Sequence, residues 1–123
     1  MKFTLYTADI TGVKANTKYK NKVEVKDTET LKTAVSKDYV FASYKGNSRS
    51  EDNFIESDCV AFDIDNDHSD DPLDWISEQE VIDAFPGVGF AIHFSRNHMK
   101  DKDGKVARPK FHVIFPIDKI SNK

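Results

Sequence analysis

The chain has 123 residues, enough to bury one modest core and too few for two full-sized domains. Hydrophobic residues make up 38% and charged residues 32%, with no long block of either sign, a composition that excludes a largely disordered chain. The formal net charge of −3 excludes a general attraction to polyanions, so any contact with nucleic acid has to come from a local basic patch.

No apolar run approaches the ~20 residues of a membrane span, and MKFTLYTADITG lacks the unbroken apolar centre of a signal peptide. A cytoplasmic address with no membrane partner is therefore expected. The single cysteine, Cys59, leaves no internal disulfide or cysteine-cluster zinc site and reads as a buried thiol within CVAF.

In chain order, KFTLYTADI alternates as a strand, and DTETLKTAVSK reads as a short helix capped by Asp27 or Thr28, with Leu31, Ala34 and Val35 on one face. YVFASY is a second strand and KGNSRSEDN a loop. CVAFDIDN is an interior strand that stops at a cluster of acids. In DDPLDWISEQEVIDAFPG, Asp71 caps, Pro72 takes the first helical position, Ser77 with Glu80 forms a capping box, and Pro86 with Gly87 ends the helix. Leu73, Ile76, Ile82 and Phe85 are expected to face the sheet, with Trp75 partly buried. GFAIHFS and KFHVIFPI are strands joined by a basic loop whose Asp103-Gly104 pair favours a tight turn, and DKISNK reads as a polar exit. The order from Cys59 is strand, helix, strand, long hairpin, strand, which makes the fold class α+β.

Side chains alternate between the faces of a strand. Val60, Phe62 and Ile64 therefore share one face, as do Phe90, Ile92 and Phe94 in the next strand and Phe111, Val113, Phe115 and Ile117 in the last. The opposite faces carry Asp63 and Asp65, then His93 and Ser95, then Lys110 and His112. If the strands are neighbours, one polar surface collects them.

Asp63 and Asp65 project to the same side, and two like charges held a few ångströms apart cost on the order of 1 to 4 kcal/mol. A divalent cation compensates that cost in phosphoryl-transfer sites; a solvated strand end is the plain alternative. An EF-hand reading of Asp63, Asp65 and Asp67 fails at His68 and Asp74, where glycine and glutamate are needed. A haloacid-dehalogenase-type site is also a poor fit, because it wants a different residue where Asp67 stands. His93, His98 and His112 with an aspartate fit no compact zinc motif. Ser95-Arg96-Asn97-His98, just beyond a strand, gathers groups that suit phosphate oxygens. From Arg96 to Lys110 the cations Arg96, Lys100, Lys102, Lys105, Arg108 and Lys110 face only Asp101 and Asp103.

CVAFDIDNDH, FSRNHMK and ARPKFHVIFPI, in that order and with a helix after the first, resemble the archaeo-eukaryotic primase superfamily, particularly the primase-polymerase domains of phages, plasmids and integrative elements. The resemblance covers roughly residues 58 to 117, about half the chain. It implies an RRM-like antiparallel or mixed sheet backed by helices. It further implies Mg2+ or Mn2+ on Asp63 and Asp65, and Ser95 and His98 on the phosphates of an incoming nucleotide. His98 joins the two acids as a catalytic group, and Arg96, Lys100, Arg108, Lys110 and His112 are further nucleotide-binding candidates. The implied function is template-directed joining of nucleotides in DNA replication, with nucleoside triphosphates, a DNA template and primer, and a helicase as partners. The family's third acid lies on a later strand and is not equated with Asp118. Residues 1–123 are thus expected to be the N-terminal part of a catalytic domain, with a strand-helix-strand part at 1–57 and a motif-bearing part at 58–123. A non-catalytic nucleotide- or nucleic-acid-binding module and a metal-dependent nuclease are the alternatives.

Overall fold

The alternation of KFTLYTADI becomes β1 (Phe3–Thr7) in the computed structural model, which describes residues 1–121. It pairs antiparallel with β2 (Asn21–Val25) on one side and β3 (Tyr39–Val40) on the other. As the central strand it is buried on both faces, with Phe3, Thr4, Leu5 and Thr7 all enclosed. The polar atoms of Thr4 are answered by Asp58, whose Oδ1 accepts from the backbone N–H and Oδ2 from the hydroxyl, both at 2.8 Å. Left unanswered, such groups would cost on the order of 1 to 3 kcal/mol each. β2 has no counterpart among the expected strands: NKVEV alternates correctly, but lysines on both sides hide its period.

The first helix, α1 (Thr28–Val35), begins where expected. Asp27 is the N-cap, its carboxylate accepting from the Thr30 N–H at 2.8 Å, while the Thr30 hydroxyl accepts from the Asp27 N–H at 3.1 Å. Ala34 is its buried residue, and the helix lies against β1 and β2. YVFASY is not one strand but two, β3 and β4 (Ser43–Tyr44), which join different sheets. β4 pairs antiparallel with the start of β5 (Phe54–Ile64) across a bulge. Cys59 is buried as expected, and burial pushes its thiol up to about 11. The final strand, β7 (Phe111–Ser121), continues through DKIS, which is therefore no exit; Lys119 on it meets Glu56 of β5 at 2.9 Å.

The chain forms two compact units. One holds residues 1–60 and 116–121; the other is residues 61–115. The division thus falls after Val60 rather than after Ser57, and the end of β7 belongs with the N-terminal part.

In the second unit the strand order is β5-β7-β6, where β6 is Ala91–Phe94. The acid-bearing β5 lies beside β7, not beside β6, because the helical crossover from β5 passes over β7 before the chain returns. Val81, Phe111 and Val113 form the core, with Ile64, Phe90, Ile92 and Phe115 packed against it as the alternation implied, whereas Val60, Phe62, Phe94 and Ile117, sorted to the same faces, are exposed. The expected helix splits. Asp71 and Pro72 open a single 3-10 turn (Pro72–Asp74), and Ser77 caps a separate helix, α2 (Glu78–Ala84). The break resets the helical phase, so Val81 is the buried residue while Leu73 is 91% exposed. Ile76, Ile82 and Phe85 are only partly covered, and Phe85 meets Phe115 edge-on at 5.0 Å and Phe90 at 6.3 Å. Trp75 is half-buried, as expected.

Candidate functional site

The polar face of the second unit is built by register. β6 and β7 pair Ile92↔Val113, His93↔His112 and Phe94↔Phe111, so the two histidines are direct cross-strand partners with ring centroids 6.2 Å apart. On the next strand Asp63 Oδ1 lies 3.7 Å from His112 Nε2. Asp63, His93 and His112 are therefore collected as the alternation implied. Burial, with His112 alongside, holds the His93 ring below the ordinary imidazole range, which favours its neutral form. Asp65 follows the last residue of β5, and its Oδ1 accepts from the Asp67 N–H at 3.0 Å, a local turn that leaves the second oxygen of the carboxylate outside that bond.

Ser95 and His98 converge on one backbone segment. The Ser95 N–H and hydroxyl both donate to the Lys110 carbonyl, at 2.9 and 3.1 Å. The Lys110 N–H donates to His98 Nδ1 at 3.1 Å, so in the neutral ring the proton sits on Nε2 and is available as a donor. Phe94 stacks on the His98 ring at 4.3 Å and holds its plane. Ser95 has spent its single hydroxyl proton on Lys110, which makes it an anchor of the turn rather than a donor to a ligand. Arg96 and Lys100 are exposed on the same turn. At the tip of the loop, Asp103 (φ 52°) and Gly104 (φ 77°) make the expected tight turn between Lys102 and Lys105.

Two of the expected nucleotide ligands face inward instead. Arg108 is fully buried: Nη1 donates to the carbonyls of Asn66 and Ser69 at 2.9 and 2.8 Å, Nη2 meets Asp70 at 2.6 Å, and Nε donates to Val106 O. Its guanidinium also lies 5.3 Å from the Trp75 ring centroid. Lys110 is 8% exposed, and its ammonium is 2.8 Å from Asp67, which Lys105 also approaches at 3.9 Å. The hydrogen bond from Lys110 holds the Asp67 carboxyl below the usual carboxylate range. Arg108 and Lys110 knit the acidic loop after β5 to the basic loop before β7 and, being buried, offer no surface to a triphosphate.

Asn66 completes the joint and was not singled out by its sequence context. Its φ of 57° is left-handed, it is 2% exposed, and its amide donates to Ile76 O and Pro109 O while accepting from the Ile76 N–H. An asparagine directly after a strand, before a polar turn, is the signal that points to such a position. Among the described residues no helix is long and apolar enough to cross a membrane. No protein-family model, curated protein or solved structure matches the chain.

Proposed function

We propose that residues 61–115 are the metal- and nucleotide-binding part of a primase-polymerase-type nucleotidyltransferase. The observation that carries this reading is the anchoring of Ser95 and His98 to the Lys110 backbone, at the loop-bearing end of the hairpin whose β7 strand neighbours the acids. That arrangement aims one imidazole N–H, from a ring held on two sides, at whatever occupies the turn. The order β5-β7-β6, following strand, helix, strand, strand in sequence, is consistent with the split β-α-β plan of an RRM-like sheet.

Asp63 and Asp65 suit a hard divalent ion, since both are exposed carboxylates at one strand end. Mg2+ or Mn2+ held there would neutralise phosphate charge beside the reacting centre. His98 Nε2–H, Arg96 and Lys100 receive the triphosphate oxygens, while Ser95, Arg108 and Lys110 shape the turn from behind. Orientation of the α-phosphate toward the 3′-hydroxyl of a primer or first nucleotide is the task of these residues; the hydroxyl attacks and pyrophosphate leaves.

A non-catalytic nucleotide-binding module is the second reading. The pairing of Arg108 with Asp70 and of Lys110 with Asp67 favours it, because both cations are withdrawn from the charge available to a transferring phosphate.

Both readings are tested by triphosphate titration with Mg2+ or Mn2+, followed by incorporation of labelled nucleotide on a primed template. Saturable binding that is lost in an Asp63→Ala, Asp65→Ala double variant supports the site. Binding without incorporation selects the second reading, and no binding by the unchanged protein overturns both.

A further inference from the structure

The basic loop before β7 is the obvious place for a polyanion in the sequence, yet Lys105, Arg108 and Lys110 are answered by Asp67 and Asp70. The first unit holds a different set of cations. Residues 17–19 and 47–49, within the stretches 14–20 and 45–49, pair antiparallel: the Arg49 N–H donates to Thr17 O at 2.7 Å, the Tyr19 N–H donates to Asn47 O at 3.0 Å, and Lys18 bridges Ser48. Lys14, Lys18, Lys45 and Arg49 are all exposed there, and neither segment contains an acid. Lys18 Nζ donates to Gly46 O at 3.5 Å, so its ammonium lies over the second segment. Among the described residues no ion pair engages these four side chains, in contrast to Lys20 of the same segment, which meets Asp9 at 2.8 Å.

The loop pair is also rigid. Asn16 closes a turn on Lys18 through two hydrogen bonds, and the Tyr19 ring is buried with Ala8 and Val40 while its hydroxyl donates to Asn16 O. Like charges held by a stiff backbone repel one another, and a ligand that neutralises them relieves that cost without having to order the loop.

The geometry points to this paired-loop surface, Lys14, Lys18, Lys45 and Arg49, as a binding site for the sugar-phosphate backbone of a nucleic-acid strand. A strand fits better than a lone anion because the cations are spread along two antiparallel stretches of backbone, not gathered round one point. Such contacts position a strand and read no bases. The inference does not depend on nucleotidyl transfer, since it uses no residue of the second unit.

The test is the salt dependence of binding to a fluorescent oligodeoxythymidylate, for the unchanged chain and a variant with Lys14, Lys18, Lys45 and Arg49 all changed to Gln. Release of counterions from a single strand lowers the log–log slope by about 0.7 per phosphate neutralised, so the variant should lose a slope of roughly 3 and bind at least tenfold more weakly at low salt. Circular dichroism checks that it folds, and single Lys18→Gln and Arg49→Gln variants, each expected to lose a slope of about 0.7, serve if it does not. An unchanged slope overturns the proposal, as does loss of binding only when Arg96, Lys100 and Lys102 are changed to Gln. Binding to anionic phosphatidylserine vesicles without binding to the oligonucleotide also overturns it. Triphosphate affinity, measured in parallel, should be the same in the variant, so failure of the nucleotide site and failure of this surface are read separately.

Discussion

The backbone N–H of Lys110 donates to Nδ1 of His98, and the same residue's carbonyl takes both donors of Ser95. One peptide segment thereby sets the tautomer of the imidazole and the shape of the turn that carries it. His98→Ala removes the outward donor and leaves the Ser95 anchor in place. The expected outcome is a tenfold or greater loss of triphosphate affinity, about 1.4 kcal/mol, beside a lower melting temperature from the unanswered Lys110 N–H. Unchanged affinity would remove His98 from the site.

Arg108 yields the opposite pattern. Arg108→Ala strands the carbonyls of Asn66 and Ser69 and opens a void against Trp75, at a cost of about 2 to 4 kcal/mol in unfolding free energy. Arg108→Lys recovers only part of it, because one ammonium cannot span contacts at three positions of a planar fork. Chemical denaturation followed by Trp75 fluorescence measures both. Destabilisation below 0.5 kcal/mol, with weaker triphosphate binding, would return Arg108 to the list of ligands.

Asn66→Asp keeps the shape of the side chain and reverses its chemistry, since the NH2 that donates to Ile76 O and Pro109 O becomes an oxygen facing two oxygens. The variant should be less stable at neutral pH by about 2 to 4 kcal/mol. Its new carboxyl gains nothing from ionising in that position, so its folded pKa lies above the unfolded value. The penalty, measured against the unchanged protein at each pH, should shrink as pH falls through the folded pKa. A penalty independent of pH would mean that the loop rearranges.

Asp27 tests the first unit. The Thr30 backbone N–H, above all, holds its carboxyl below the usual carboxylate range. A depressed carboxylate contributes stability that is present above its unfolded pKa and lost as pH falls through the folded one. Asp27→Ala should therefore lower the melting temperature by roughly 3 to 6 °C at neutral pH, and the gap from the unchanged protein should close below about pH 4. A gap that persists in acid would assign the effect to helix propensity rather than to the cap.

Local features were legible and long-range ones were not. Period-two alternation exposed β1, β5, β6 and β7, and the caps Asp27 and Ser77 stood where their side chains predicted. The α-helical phase across Leu73 was misread, because a proline-initiated 3-10 turn and a capped helix look like one amphipathic run until the chain between them is seen to be extended. The gathering of Asp63, His93 and His112 followed from alternation, whereas the placement of β5 beside β7 did not, since strand order is decided by the crossover and leaves no local trace. Arg108 illustrates the limit best. Nothing near it in sequence marks it as buried; the carbonyls that receive it lie 42 and 39 positions earlier.

Trp75, the chain's one tryptophan, donates its indole N–H to Ser69 O at 2.8 Å and stacks under the Arg108 guanidinium. Its emission consequently reports on this joint alone, as an optical gauge built into the second unit. Loosening of the loops shifts its spectrum, while the first unit, which has no indole, contributes nothing to tryptophan emission. Far-ultraviolet dichroism sees the whole backbone, so two melting curves recorded on one sample separate the unravelling of the joint from that of the sheets.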